Sequence, residues 1–237
     1  KNILSLSLRN NNSTIIVQNS DDKKYIKFIS SNKSEDTNIV LIPGSGVDIR
    51  YFKPQVNSSK IIEVSLVARM IYEKGVREFV EAARILKKRY KHIKFILYGK
   101  TDEGNPSSIP KKILNQWNIE GAIEWRGFEI DKLSIYRNSQ IIVLPSYREG
   151  MPKTILEAAA CGLPAIVTNV PGCRESIIPN KTGFLVELFD IDDLVSKIEE
   201  LILDQEKRNL MGSKARLLAE EKFDINKINS EQMKLYN

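Results

Sequence analysis

Histidine and cysteine are almost missing from this chain, which has one His and two Cys in 237 residues. Cys161 and Cys173 form no Cys-x-x-Cys pair, and only His92 is available to join them. Neither a disulfide framework nor a zinc site is expected; free thiols in a reducing compartment are. No run of about 18 apolar residues occurs, so no membrane-spanning helix is expected. The apolar residues Ile3, Leu4, Leu6 and Leu8 lack the length and cleavage site of a signal peptide. No Gly-x-Gly-x-x-Gly follows an expected strand, which disfavours a dinucleotide-dependent oxidoreductase. Aromatic residues are only 8% of the chain and do not interleave with basic ones, which argues against a nucleic-acid partner. There is no internal repeat and no low-complexity tract.

What is present is an ordinary charged fraction, 28%, a hydrophobic fraction of 42% and a net charge of +6. That composition supports one large domain, or one domain with an appendage. The positive balance favours anionic partners such as phosphorylated substrates or acidic lipid headgroups.

Apolar runs alternate with amphipathic stretches. Strands are expected at 61–67, 93–98, 122–126, 140–144, 164–168 and 183–186. Helices are expected at 75–90, 108–117, 129–137 and 152–161, the first with Val76, Phe79, Val80, Ala83, Leu86 and Tyr90 on one face. This rhythm predicts an α/β fold, a Rossmann-like parallel sheet with helices on both faces. Such sheets bind ligands beyond the carboxyl ends of their strands. Residues 190–203, 205–221 and 224–235 read as helices. Near the start, 13–18 reads as a strand, 20–31 as a helix and 39–42 as a strand. Residues 53–60 form a polar connector with a proline and mark a candidate boundary.

The strongest segment is 145–175, PSYREGMPKTILEAAACGLPAIVTNVPGCRE. A strand ends in a turn with Glu149 and Gly150, and Pro152 stands where a helix begins. The backbone N–H groups of Met151, Lys153 and Thr154, with the positive end of the helix dipole, make an anion site. Gly150 permits close backbone approach. Glu149 and Glu157 are eight positions apart, a rise of about 12 Å along a helix. Two carboxylates so spaced can take hydroxyl hydrogen bonds at opposite ends of one ligand. A second segment, 65–76 (SLVARMIYEKGV), ends a strand and then presents Arg69 and Lys74 to the same crevice. A third, 42–54, holds Gly44 and Gly46.

These segments resemble family 4 of the retaining, two-domain (GT-B) glycosyltransferases, the type that builds capsule, O-antigen or lipid-linked glycans. Glu149 and Glu157 fall on the acids of the family's E-x7-E region, within a match of some forty residues that continues through N-K-T-G-F-L-V. Arg69 and Lys74 fall on its R-x4-K-G element, and Gly44, Gly46, Val47 and Asp48 on its Gly-Val-Asp element. The resemblance implies a chain consisting mainly of the C-terminal donor-binding domain. Residues 1–52 would be a remnant of the N-terminal domain with the junction, 53–222 the donor domain and 223–237 a C-terminal helix.

It further implies transfer of a sugar, with retention, from a nucleotide-diphosphate sugar, expected to be UDP-linked, to a glycan or lipid-linked acceptor. Arg69 and Lys74 would hold the pyrophosphate and Glu149 would orient the sugar; these three are the expected catalytic residues. Glu157 would bind the ribose. Gly44, Gly46, Gly99, Phe128, Gly150, Met151, Pro152, Lys153 and Thr154 would complete the donor site. No Asp-x-Asp stands in these segments, and neither a metal nor a cofactor is expected. The expected location is the cytoplasm, at the inner face of the membrane, with a separate N-terminal half or the anionic lipid surface as further partners. A non-catalytic nucleotide-sugar-binding module without an acceptor domain is the alternative.

Overall fold

The computed structural model describes residues 14–30, 38–55 and 61–236. The apolar run Ile3–Leu8, the end of the expected connector at 56–60, and Ser13 and Ser31 at the edges of expected elements lie outside the described residues.

Six strands make one sheet: β3 (Ile62–Val67), β4 (Ile93–Tyr98), β5 (Glu124–Gly127), β6 (Ile141–Leu144), β7 (Ala165–Thr168) and β8 (Gly183–Val186). Their order is β5-β4-β3-β6-β7-β8, and every pairing is parallel. The chain therefore lays strands outward from β3 in one direction, then returns to its other side with β6. The crevice at that reversal is where such a sheet binds ligands.

The helices that follow these strands are α2 (Val76–Arg89), α3 (Lys111–Ile119), α4 (Lys132–Asn138), α5 (Lys153–Ala160) and α6 (Ile191–Leu203), with α7 (Gln205–Leu218) next in the chain. They cover both faces, because successive residues of a strand point to opposite sides. Ile141 and Val143 join a core with Phe79, Leu86, Phe95 and Ile198, whereas Ile142 and Leu144 join one with Leu156, Leu218 and Phe223. Strands buried on both faces read as continuous apolar runs, as IIVL at 141–144 does. Burying one such side chain contributes about 1.5–3 kcal/mol.

A separate two-stranded parallel sheet pairs β1 (Thr14–Val17) with β2 (Asn38–Leu41), and α1 (Ser20–Ser30) lies between them in the chain. The last helix, α8 (Ile225–Met233), buries Ile228. Segment 42–54 packs on the larger unit: Phe52 lies 5.7 Å from the Tyr136 ring, and Arg216 donates to the carbonyls of Ile49 and Phe52.

Some boundaries differ from expectation. The helix expected at 108–117 starts at Lys111, after Pro110, and runs to Ile119. The helix expected at 129–137 starts at Lys132, because Asp131 caps it by accepting the Leu133 N–H. Pro152 caps α5 from just outside rather than opening it. The strand expected at 122–126 begins at Glu124. The helix expected at 205–221 ends at Leu218 and continues as a π-helical turn, Ala219–Phe223. There the chain leaves the helix to pair with Val47, whose N–H donates to the Phe223 carbonyl at 2.8 Å.

Candidate active site

The turn after β3 stays tied to β4: the Ala68 and Met70 N–H groups donate to the Tyr98 and Lys100 carbonyls at 3.0 and 2.9 Å. Arg69 turns outward and bonds Asp102 at 2.6 Å. Lys74 closes a short 3-10 turn, and Gly75 follows with φ +69°. A Cβ at Gly75 would collide with the Pro145 carbonyl, so glycine is what lets this turn reach the end of β6.

There the second turn meets it. The Tyr147 N–H donates to the Glu73 carbonyl at 2.9 Å. Lys74 Nζ bonds Glu149 Oε1 at 2.5 Å, and Ser146 Oγ donates to the same oxygen at 2.8 Å. Both partners of the ion pair are largely enclosed, with side chains 20% and 12% exposed. The Glu149 N–H donates to the Pro171 carbonyl at 3.1 Å. Gly172, at φ +81°, lies so close that a Cβ would overlap the Glu149 carbonyl. Glu149 is thus held by loops that follow three different strands.

Beyond it, α5 begins with no side-chain cap. The N–H groups of Met151, Lys153 and Thr154 have no protein acceptor among the described residues. Helix N-termini left open in this way favour an anion.

One helical stretch later, Glu157 is 2% exposed. Tyr136 Oη donates to its Oε2 at 2.6 Å, and Lys132 Nζ stands 3.5 Å from Oε1. Burial, then the Glu157 charge, pushes the Tyr136 hydroxyl well above its ordinary pKa, so it remains a donor.

Arg69, Gly99, Phe128, Thr154 and Glu157 line one cleft of about 380 Å³, together with Lys100 and Lys132. Gly99 is required by packing, because a Cβ there would fall on the Ala68 carbonyl. Phe128 is 56% exposed, with Lys100 Nζ 4.5 Å above its ring, so it is a cleft residue and not part of the core. Gly44 faces Met151, whose Cγ would stand 2.8 Å from a Cβ placed there. Gly46 packs instead under α8, where a Cβ would meet Ile225 Cα at 2.8 Å. Its left-handed φ of +71° thus has a packing use away from the cleft.

Lys132, Tyr136, Ser146 and Asp102 are site residues that the motif reading passed over. A larger cavity, about 500 Å³, lies at the opposite ends of the strands, beside Ile62, Gln140 and Pro164, and none of the candidate site residues lines it. The string Asp190-Ile191-Asp192 has Asp-x-Asp spacing, but Asp190 caps α6 by accepting the Asp193 N–H at 2.9 Å. Among the described residues no three His, Cys, Asp or Glu side chains are grouped to hold a metal. Cys161 and Cys173 are free and buried, and burial pushes both thiols up to about 12. His92 is exposed.

Residues 49–218, more than half of the chain, match the family described as glycosyl transferases group 1. The chain is 32% identical over 224 residues to the N,N'-diacetylbacillosaminyl-diphospho-undecaprenol alpha-1,3-N-acetylgalactosaminyltransferase of Campylobacter jejuni, covering 89% of this chain and 57% of that protein. It is 28% identical over 236 residues to the capsular polysaccharide biosynthesis glycosyltransferase CapM of Staphylococcus aureus, covering 94% and 61%. The chain thus spans less than two thirds of these relatives' lengths. Among solved structures, Anabaena HepE in complex with UDP-glucose superposes with a TM-score of 0.79 at 22% identity, covering 96% of this chain and 65% of that one.

Proposed function

The chain belongs to the group 1 glycosyl transferases, and from that membership we propose that it forms the donor-binding part of an enzyme that transfers sugar from a UDP-sugar, with retention, to a glycan or lipid-linked acceptor. The observation that carries this reading is the ion pair between Lys74 and Glu149, which joins the two motif turns at the reversal point of the sheet.

In this reading the diphosphate lies between the two acids. Arg69, Lys74 and the open N–H groups at the start of α5 face it. As the bond from the anomeric carbon to the phosphate oxygen breaks, charge collects on the departing diphosphate, and these groups stabilise it. The acceptor hydroxyl adds to the same face of the sugar and gives its proton to the departing phosphate oxygen. Glu149 takes hydroxyl hydrogen bonds from the sugar, with Lys74 shared between it and the distal phosphate. Glu157 takes those of the ribose. The base lies along Gly99 and Phe128. The donor reading draws support from the UDP-glucose bound by a protein of the same fold, and the acceptor reading from the diphospho-undecaprenol in one relative's name and the capsular polysaccharide biosynthesis in the other's. The activity needs no metal. The enzyme works in the cytoplasm at the inner membrane face, with the acceptor domain supplied beyond residues 1–52.

The test is calorimetric titration with UDP, GDP, ADP and their sugars, followed by donor hydrolysis and transfer assays. UDP and UDP-sugars are expected to bind most tightly. Tighter binding of GDP or ADP overturns the base assignment, and failure of every nucleoside diphosphate to bind overturns the site. Binding without hydrolysis or transfer would leave a nucleotide-sugar-binding module.

A further inference from the structure

The turn after β3 carries two cations, and an acid draws each to a different side. The strand order puts the loop after β6 on one flank of this turn and the loop after β4 on the other. Lys74 goes to the first flank, where it pairs with Glu149 in an enclosed setting. Arg69 goes to the second, where its Nη1 donates to Asp102 Oδ2 at 2.6 Å. This second pair is open to water, with side chains 61% and 30% exposed.

Asp102 does not depend on Arg69 for its place. Its N–H donates to Ser108 Oγ, its carbonyl accepts the Asn105 N–H, and Asn105 Nδ2 donates to its Oδ2, each at 3.0 Å. The loop itself is tied to the turn it flanks. The Ile109 N–H donates to the Met70 carbonyl at 2.9 Å, and the Tyr72 N–H to the Ser107 carbonyl at 3.0 Å. The carboxylate is thus fixed by its own loop, and Arg69 reaches it along an exposed side chain.

Arg69 and Asp102 line the same cleft. A carboxylate there opposes an incoming anion and neutralises the cation that would receive it. An exposed pair of this kind contributes little to stability, so Arg69 is held only lightly. A phosphate offers the guanidinium two parallel charge-assisted bonds in place of one. Exchange therefore favours the phosphate.

We propose that Asp102 is a resident counter-ion that competes with the donor diphosphate for Arg69: the diphosphate binds by displacing it, and it takes Arg69 back as the product UDP leaves. This rests on the UDP-sugar reading above.

Asp102→Asn removes the charge and keeps an oxygen for the Asn105 bond. UDP is titrated calorimetrically into the full chain at about 0.15 M salt, so that charges more than about 8 Å apart are screened. The variant is expected to bind about three- to fivefold more tightly, the scale of an exposed ion pair. In an Arg69→Ala background the same substitution is expected to change UDP affinity less than about 1.5-fold. If Asp102→Asn disturbs the loop, Asp102→Ser, which also keeps an acceptor oxygen, is read in the same two backgrounds. Unchanged affinity in a folded variant overturns the proposal. Weaker binding also overturns it and makes Asp102 a residue that orients Arg69 towards the ligand. An equal gain with and without Arg69 overturns it as well, because the acid then acts on the anion directly. Failure of the unmodified chain to bind UDP overturns the donor reading and this inference with it, whereas binding without the gain overturns this inference alone.

Discussion

The two acids of the site stand eight positions apart in settings that differ in kind. Glu149 lies in a turn, and a single one of its oxygens takes both the Lys74 ammonium and the Ser146 hydroxyl. Glu157 lies inside a helix at 2% exposure, with one oxygen given to Tyr136 and the other near Lys132. In the proposed reading, one end is thus a cation–carboxylate pair shared with an incoming phosphate and sugar. The other is a carboxylate fixed in advance by a buried hydroxyl, backed in turn by the Phe52 ring. Chemistry at the reacting end needs charge that can respond. Recognition at the far end needs a group that does not move.

Several substitutions would break or sharpen that contrast. Lys74→Ala should have the largest effect, lowering the transfer rate by about 10²–10³, the usual cost of removing one electrostatic stabiliser of developing charge; steady-state kinetics of the complete enzyme measures it. Glu157→Ala should weaken nucleotide binding about tenfold, and should also lower stability by about 1–3 kcal/mol because the Tyr136 hydroxyl loses its buried acceptor. Calorimetry and chemical denaturation read the two effects. Glu149→Ala should leave UDP affinity within about twofold yet abolish the preference among UDP-sugars, so that the two acids differ in what they recognise. If both alanine variants keep full donor affinity, the roles given to them are wrong. Tyr136→Phe should cost less, about 0.5–1.5 kcal/mol of stability, the net value of one hydrogen bond.

The smallest effect concerns pH. Burial raises the thiols of Cys161 and Cys173 from 9.0 to about 12. The folded chain therefore holds those protons more tightly than the unfolded one. Their contribution to stability is complete below about pH 9 and is lost as pH rises from there towards 12. Denaturation midpoints across that window should fall less steeply in Cys173→Ala than in the unmodified chain.

Much of this arrangement was legible in the chain because local pattern and tertiary role agree. IIVL at 141–144 is apolar throughout because both faces of β6 are covered, and a polar turn follows at once. Gly75 follows Lys74 because the turn must clear Pro145. The meeting of Lys74 with Glu149 spans 75 positions: the strand ends put both turns at one crevice, but nothing local shows that these two side chains pair. Tyr136 was hidden for the opposite reason: on the sequence it is one more aromatic residue of an amphipathic helix, and its role appears only when α4 packs beside α5. Asn19 went unread: it caps α1 by accepting the Asp22 N–H, and its amide also reaches across 131 positions to the Gly150 carbonyl. Gly46 was read towards the ligand because it belongs to a glycine-rich motif; its close packing against Ile225 is a second use that the motif does not show. The π-helical turn at Ala219–Phe223 left no mark, since Leu217, Leu218 and Ala219 continue an ordinary helical pattern until Val47 draws the chain away.

The affinity for UDP of the chain carrying both Arg69→Ala and Lys74→Ala is the most direct measurement of whether the two turns make one diphosphate site. Binding by the unmodified chain, weakened at least about a hundredfold in this variant, is the predicted result, on the scale of two charge-assisted hydrogen bonds. Equal affinity in a variant that keeps its fold would contradict it.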